Sequence, residues 1–562
     1  MVAPSTTTSR ILRGDRALAY GALAAGVEVV TGYPGSPATG VFEGCLEGTE
    51  PGQAHVQWAP NEKVAMEIAY GASLAGRRAL VVLKSVGMNI ALDPLATMAL
   101  SGCHAGLVIL LGDDPGGWGS QNEQDSRWLA RVAEVPVVEP VSVEQSAALM
   151  AQAFVWSESL GVPVIVRIVG SLALSEGPVE EPWRLPPFGS GFLRKRDRWV
   201  VLPATVVRRH HSLHRKLRQA RELFEASPYD AIEGRQRGDR SLPVVGVLAV
   251  GHTLPKVRRA LGADAPAQVL SLSSVWPLPD RALVRWLRGL ERVLVVEEGG
   301  PFVEEQVRDL AQRHALPVVV LGRADGQAPG DGRVLPAEGE LTEPAIAEGL
   351  QRLDPALERE VASTAGRAMP SRVPLCDGCP YRPTFEALIA AMDANGGRSR
   401  HIVVGETGCM VRANLPPMEL FDVKYSLGSG LGLGIGLALG ETAPGGRGQR
   451  VVALLGDSSF FHTDINALPY AAQLNLPMLV VLLDNATTAL TGGQVHPGSA
   501  TDARGAPQRA IDLADVVRGC GLEPTVIAAD DVTALRAAFL EGLRKAGTRV
   551  IIARGPCPQH VP

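Results

Sequence analysis

Wholly apolar runs that end abruptly in glycine, proline or aspartate recur along this chain, with helix-like stretches between them. VEVVTGYPG (27–35), ALVVLKSVG (79–87), GLVILLGDDPGG (106–117) and VPVIVRIVG (162–170) form a first series. VVGVLAVG (244–251), AQVLSLSSVWP (267–277), RVLVVEEGGP (292–301) and LPVVVLG (316–322) form a second. HIVVGETG (401–408), VVALLGDSS (451–459), LPMLVVLLDN (476–485) and TRVIIARGP (548–556) form a third. Strands of this kind alternating with helices predict α/β domains with doubly wound parallel sheets, three in number. In such sheets functional groups collect at the carboxyl ends of the strands.

The runs set the expected boundaries. Residues 1–175 form one α/β domain, 241–330 a smaller one and 372–562 a third. Between them, 176–240 reads as a connector containing the Pro-rich EEPWRLPPFGSG and the basic RRHHSLHRKLRQAR, and 331–371 as a linker with one short helix. The basic stretch is a solvated helix or, alternatively, a polyanion site. A chain of 562 residues with 46% hydrophobic and 20% charged residues has an ordinary globular balance. A net charge of −5 gives no reason to expect nucleic acid. No apolar run is long enough to span a membrane, and the N-terminus lacks the apolar core of a secretory signal. Seven scattered cysteines do not make a secreted disulfide scaffold. A cytoplasmic enzyme is expected.

Asp457 ends one apolar run and Asn485, 28 residues later, ends another. An acid and an amide on neighbouring strand ends can give oxygens to Mg²⁺, which completes its octahedron with diphosphate oxygens, and the Thr487 carbonyl can add a third. Equally, the two side chains can cap the helices that follow. The Gly-Asp…Asn spacing resembles the diphosphate-binding motif of thiamine-diphosphate enzymes. Beside it, SLGSGLGLGIGLALG (426–440) reads as a tight turn entering a close-packed helix. In APNEKVAMEIAYGASLAG (59–76), Glu62 falls in the first turn of a helix with Val64, Ile68 and Ala72 on one apolar face. On residues alone it is a carboxylate complementing the helix dipole.

Glu62 precedes Gly-Ala by nine residues, which resembles the pyrimidine-binding half of 2-oxoacid:ferredoxin oxidoreductases, and GYPGSPATG (32–40) resembles that family's Tyr-Pro loop. LDPLATMA (92–99), DDPGGWGSQNEQDSRW (113–128), CDGCPYRPTF (376–385), GDSSFFHTDINAL (456–468) and LDNATTALTGGQ (483–494) resemble the large subunit of indolepyruvate ferredoxin oxidoreductases. KSVG (84–87) and GGWGSQ (116–121) depart from that family's usual residues. The resemblance implies three domains of thiamine-diphosphate-enzyme type, with Glu62 holding a proton at N1′ of the cofactor's pyrimidine. It also implies Tyr33, Pro34, Gly428, Ser429, Gly456, Asp457, Ser458, Asn485 and Thr487 around thiamine diphosphate and Mg²⁺. His462 is a candidate for substrate contact or for a supporting role. Trp118, Phe460 and Phe461 are candidates for an aryl pocket.

Cys376-x₂-Cys379 opens the third block, and Cys409 and Cys557 follow singly. On residues alone these are cluster ligands, a zinc site or free thiols. The resemblance implies one 4Fe–4S cluster on all four. Cys45, Cys103 and Cys520 read as small buried hydrophobes. The family usually continues into a ferredoxin-like domain, so electrons are expected to leave through a smaller beta/gamma-type subunit, ferredoxin or another acceptor. The implied activity is oxidative decarboxylation of a 2-oxo acid, an arylpyruvate such as indolepyruvate, to an acyl-CoA and CO₂ by a dimer of this chain. The alternatives are a non-redox thiamine decarboxylase or carboligase, and a cofactor-binding subunit active only in a larger complex.

Overall fold

The computed structural model describes residues 9–234, 245–262, 265–324, 333–359, 361 and 373–560. Residues 235–240 of the expected connector, and 331–332, 360 and 362–371 of the expected linker, lie outside the described residues. Two compact units are distinguished: Met1–Gln57 with Glu62–Met369, and Trp58–Asn61 with Pro370–Pro562.

The first unit holds two large sheets. In one, seven strands run in the order Ser274–Trp276, Val137–Val138, Val164–Val169, Leu107–Asp113, Ala79–Lys84, Val29–Gly32, His55–Trp58. Leu107–Asp113 and Val164–Val169 are buried along their whole length, as strands covered on both faces must be. Numbered from Val29–Gly32 and leaving out the edge strand Ser274–Trp276, the order is 2-1-3-4-6-5. A short antiparallel pair, Ser9–Arg13 with Glu176–Glu180, lies outside the large sheets.

The second sheet has five strands, in the order Val319–Leu321, Arg292–Val296, Val245–Val250, Ala267–Leu272, Ala231–Gly234. Three details differ from the sequence expectation. Ala231–Gly234, placed in the connector, joins this sheet antiparallel to Ala267–Leu272. Helix Glu343–Leu353, placed in the linker, buries Ile346, Leu350 and Leu353 in the same core as Val247, Val269 and Leu294. Finally, AQVLSLSSVWP is two strands. The N–H groups of Ser273 and Ser274 donate to Asp230 Oδ1 at 2.6 and 3.1 Å, and Ser273 Oγ donates to the Glu139 carbonyl at 2.5 Å. The chain turns there, and Ser274–Trp276 pairs antiparallel with Val137–Val138 in the seven-stranded sheet. Helix Pro203–Glu225 carries the basic stretch and is mostly solvated, burying only Arg209, Leu213, Ala220 and Phe224.

Buried charges join these two sheets. Arg127, with no exposed surface, lies 2.6 Å from Asp125 Oδ2 and 2.8 Å from Glu297 Oε2. Arg167 reaches Asp113 at 2.6 Å and Glu139 at 3.0 Å. Burial pushes Glu297 up to about 7 even with Arg127 beside it.

The second unit is one sheet of six parallel strands, in the order Val423–Lys424, His401–Gly405, Arg450–Gly456, Met478–Asp484, Arg549–Arg554, Pro524–Ala528. Numbered along the chain this is again 2-1-3-4-6-5. The glycine-rich stretch forms a turn with Gly428 at φ 71°, then the helix Gly430–Thr442. Cys45 and Cys103 are buried, whereas Cys520 is only half-buried at the margin of a core cluster. Its place just past the short helix Leu513–Gly519 leaves one side of it open. Among the described residues, no helix is long and apolar enough to cross a membrane.

Candidate active site

A strand order that reverses direction opens a crevice at the carboxyl edge of the sheet, beside the first strand. Each unit has one. In the first unit the crevice lies between Val29–Gly32 and Ala79–Lys84. Buried Tyr33 leaves the first of these strands, its N–H donating to the Val82 carbonyl at 3.3 Å, and Pro34 follows. A Cβ on Gly35 would sit 2.8 Å from Lys84 Cδ, so glycine lets this loop lie against the neighbouring strand end.

Glu62 starts the helix Glu62–Leu74 and is 5% exposed. A Cβ on Gly87 would lie 2.4 Å from Glu62 Oε1 and 2.6 Å from its Cγ. The missing side chain at Gly87 is the space the carboxylate occupies. The expected apolar face of this helix is corrected. Its buried stripe is Glu62, Ala65, Met66, Ala69 and Ser73, while Ile68 is 43% exposed and Val64 and Ala72 are half-buried. Ala65, Met66, Ala69 and Ser73 pack inward with Glu62, and Val64, Ile68 and Ala72 turn outward.

Sequence reasoning missed Lys84. Burial lowers its ammonium from the ordinary lysine range against the pull of Asp114, and Nζ donates to the Gly119 carbonyl at 2.7 Å. The signal was present, as a lysine ending the otherwise apolar strand ALVVLK.

In the second unit the crevice lies between His401–Gly405 and Arg450–Gly456. Asp457 follows the latter strand and is 2% exposed. Its Oδ1 accepts the Ser458 N–H at 2.8 Å, and its Oδ2 accepts the N–H of Asn485 at 3.0 Å. Asn485 Oδ1 accepts the Thr487 N–H at 3.1 Å across a turn whose middle residue, Ala486, has φ 62°. The Thr487 carbonyl accepts from Ala489 N–H at 2.9 Å, leaving it a second lone pair. Ser458 Oγ lies 2.9 Å from Thr488 Oγ1, and Gly456 N–H donates to Ser459 Oγ at 3.1 Å. The acid and amide are thus adjacent, as a shared cation requires.

Gly428 and Ser429 enter the helix Gly430–Thr442, and a Cβ on Gly428 would strike Thr463 Oγ1 at 1.8 Å. The first helical N–H groups are taken within the protein: Gly430 donates to Glu406 at 2.5 Å and Leu431 to Asp464 at 3.0 Å. Burial pushes both of these carboxyls up, and Asp464 raises Glu406 further. His462 is buried in the π-helical turn Phe460–Asp464, with Nδ1 3.3 Å from Thr463 Oγ1. Phe460 is fully buried in the core, while Phe461 lines a cavity of about 500 Å³ with Asn485, His496 and Arg554. Trp118, in the first unit, donates from Nε1 to Glu340 at 2.9 Å.

His496 was not singled out from the sequence either. Its Nδ1 accepts the Gly498 N–H at 3.0 Å, which leaves the proton of the neutral ring on Nε2. Nε2 faces Asp457 Oδ2 at 3.3 Å without hydrogen-bond geometry, a buried polar atom lacking a hydrogen-bond partner. The donor set around Asp457 suits Mg²⁺ carrying a diphosphate.

The four candidate cysteines gather in this unit. Cys379 and Cys409 pack on one apolar cluster that includes Tyr381 and Met410. Arg412 Nη1 donates to Cys376 Sγ at 3.3 Å. Burial pushes Cys409 up to about 11 against the pull of Arg412, and Cys379, Cys557 and Cys376 add to the rise. A tetrahedral zinc with Zn–S of about 2.3 Å draws its sulfurs to roughly 3.8 Å from one another. Among the described residues, the group of three or more ligating side chains with atoms within 4.8 Å of one another is Glu134, His210 and His214, not these cysteines.

Residues 20–184 match the family described as "Pyruvate flavodoxin/ferredoxin oxidoreductase, thiamine diP-bdg", and residues 406–553 match "Thiamine pyrophosphate enzyme, C-terminal TPP binding domain". The indolepyruvate oxidoreductase subunit IorA of Pyrococcus abyssi is 33% identical over 574 residues, covering 97% of this chain and 85% of its own length. That of Archaeoglobus fulgidus is 33% identical over 566 residues, covering 97% and 86%. A solved 2-oxoglutarate:ferredoxin oxidoreductase from Magnetococcus marinus has a TM-score of 0.47 and 18% identity, over 62% of this chain and 66% of that one. With both ends matching thiamine-diphosphate-binding families and its length matching these relatives, the chain belongs to the indolepyruvate oxidoreductase IorA family.

Proposed function

We propose that this chain carries out thiamine-diphosphate-dependent oxidative decarboxylation of an arylpyruvate such as indolepyruvate, giving an acyl-CoA and CO₂. Cys376, Cys379, Cys409 and Cys557 would hold one 4Fe–4S cluster, which would supply one-electron transfer toward ferredoxin or a smaller partner subunit. The observation that carries this reading is Glu62 lodged against Gly87 at a switch-point crevice, in a module whose family binds thiamine diphosphate.

When bound, thiamine diphosphate supplies the electron sink for loss of CO₂. The protein's own part is positional and electrostatic. Glu62 holds a proton at N1′ of the pyrimidine. Asp457, Asn485 and the Thr487 carbonyl would give oxygens to Mg²⁺, which would carry the diphosphate. Tyr33 and Pro34 line the crevice of the first unit, and Gly428, Ser429, Gly456 and Ser458 line that of the second. Lys84, desolvated and with donors to spare, takes the substrate carboxylate. Phe461 offers a face to an aryl group, and His462 contacts the substrate. The outward stripe of Val64, Ile68 and Ala72, and the open glycines 432, 436 and 440 of Gly430–Thr442, support a dimer of this chain. Seven cysteines outside any disulfide suit the cytoplasm, where thiols stay reduced.

Iron and acid-labile sulfide on anaerobically purified protein, with an electron paramagnetic resonance spectrum after dithionite, test the reading. About four irons per chain are expected, lost on Cys376→Ala. Bound thiamine diphosphate with no iron would leave a non-redox thiamine enzyme instead.

A second expectation concerns Gly87. Glycine to alanine inside a helix ordinarily stabilises by about 1 kcal/mol. Here the new methyl takes the place of the Glu62 carboxylate, so Gly87→Ala should stay folded yet bind thiamine diphosphate at least about tenfold more weakly, a cost of about 1.4 kcal/mol. Titration calorimetry reads the binding and circular dichroism the fold. Unchanged affinity and turnover would show that Glu62 has no fixed place to keep.

A further inference from the structure

We propose that Glu134, His210 and His214 form a divalent metal site of zinc type on the first unit, apart from the residues assigned above. His210 and His214 stand one turn apart on the helix Pro203–Glu225, so their rings rise from the same face. Both present Nε2 to one carboxylate: His210 lies 2.5 Å from Glu134 Oε2 and His214 2.9 Å from Oε1. The ring centroids are 4.2 Å apart and tilted by 54°, which lets two nitrogens converge on a point without stacking.

Glu134 is held in place from its own side. It closes the helix Arg127–Ala133 in the left-handed conformation, φ 56° and ψ 46°, with its N–H bonded to the carbonyls of Ala130 and Arg131. A left-handed residue other than glycine costs about 1–2 kcal/mol. That backbone directs the side chain at the facing helix.

Two imidazoles and one carboxylate, with the last position left to water, are a donor set zinc takes, at about 2.0–2.2 Å from each atom. Tetrahedral bonds of that length hold ligand atoms roughly 3.3 Å apart, so the His210 and His214 contacts to the carboxylate, at 2.5 and 2.9 Å, need to open by about 0.8 and 0.4 Å. The three side chains are 26%, 48% and 47% exposed and free to do so. Imidazole donors select zinc, nickel or copper over magnesium and calcium.

The basic helix does not forbid a cation, because its neighbouring charges are directed elsewhere. Arg209 bonds Ser101 Oγ and the carbonyls of Asp197 and Val200, and Lys216 bonds the Gly161 carbonyl. Arg131 lies over the rings of Trp128 and Trp276. Glu134 is the anion that faces the two histidines. An ion here ties the solvated helix Pro203–Glu225 to the helix that begins with Arg127.

The test uses the iron-loaded full chain and zinc ion as probe, comparing the parent with a His210→Ala/His214→Ala double variant, whose changed side chains are about half exposed. Zinc per chain from equilibrium dialysis is read as a difference, so that any site on thiolates cancels. The parent should hold one zinc more than the variant, and zinc should raise the melting temperature of the parent only. Glu134→Gln should weaken that site at least tenfold. Equal zinc and equal melting shifts in parent and double variant would overturn the site, and unchanged affinity in Glu134→Gln would remove Glu134 from it.

Discussion

Glu62→Gln should leave the protein folded and lower turnover by about 10²–10⁴-fold, the range for loss of a positioned acid or base. The amide keeps the size of the carboxylate, so the space left by Gly87 stays filled and the helix Glu62–Leu74 keeps its register. On the proposed function, what it loses is the ability to hold a proton at N1′. The measurement is kcat with an artificial electron acceptor, on the complex with the proposed partner subunit, beside a binding titration of thiamine diphosphate. A large fall in kcat with binding weakened less than tenfold assigns the proton to Glu62. Turnover within threefold of the parent would mean that another group supplies it.

Arg127→Ala should cost about 3–5 kcal/mol of stability, the penalty for removing one partner from a buried ion pair. Arg127 has no exposed surface and serves Asp125, Glu297 and the carbonyls of Glu298 and Gly300. Burial works to raise Asp125, but Arg127 and Arg167 outweigh it and hold that carboxyl below the ordinary range. Without the guanidinium, Glu297 loses its ion-pair partner and Asp125 keeps only the pull of Arg167, in a site closed to water. Arg77→Ala is the control: Arg77 is 63% exposed in its pair with Glu28, and such pairs contribute about 0–1 kcal/mol. Urea unfolding followed by circular dichroism should separate the two variants by several kcal/mol. Equal midpoints would show that water reaches Arg127.

The central strands were legible because each is apolar on both faces and ends in a residue that cannot continue it, whereas half-exposed strands such as His55–Trp58 and Pro524–Ala528 were not. Asp457 and Asn485 were legible for a related reason, since polar residues that end two apolar runs must emerge at the same edge of a parallel sheet. The break at Ser273 was not. It depends on Asp230 and Glu139, and nothing in AQVLSLSSVWP announces acceptors contributed from so far along the chain. The helix Glu62–Leu74 misled because it carries two stripes of apolar residues. Periodicity cannot say which one faces inward, and here Ala65, Met66, Ala69 and Ser73 do. Lys84 and His496 were missed because single polar residues acquire meaning only from the carbonyl or carboxylate opposite them. The pairing of Arg127 with Glu297 is likewise invisible in one dimension.

That pairing bears on how the molecule is made. Arg127 waits for Glu298, 171 residues downstream, and Val138 for its edge partner Ser274. At about 5–20 residues per second, the ribosome takes roughly 10–30 s to deliver the later segment. During that interval the nascent first block has a strand edge unpaired and a guanidinium facing unformed surroundings. A chaperone holding the chain for those seconds would act on this block, and ribosome-bound chains released before residue 298 should be more sensitive to protease than chains released after it.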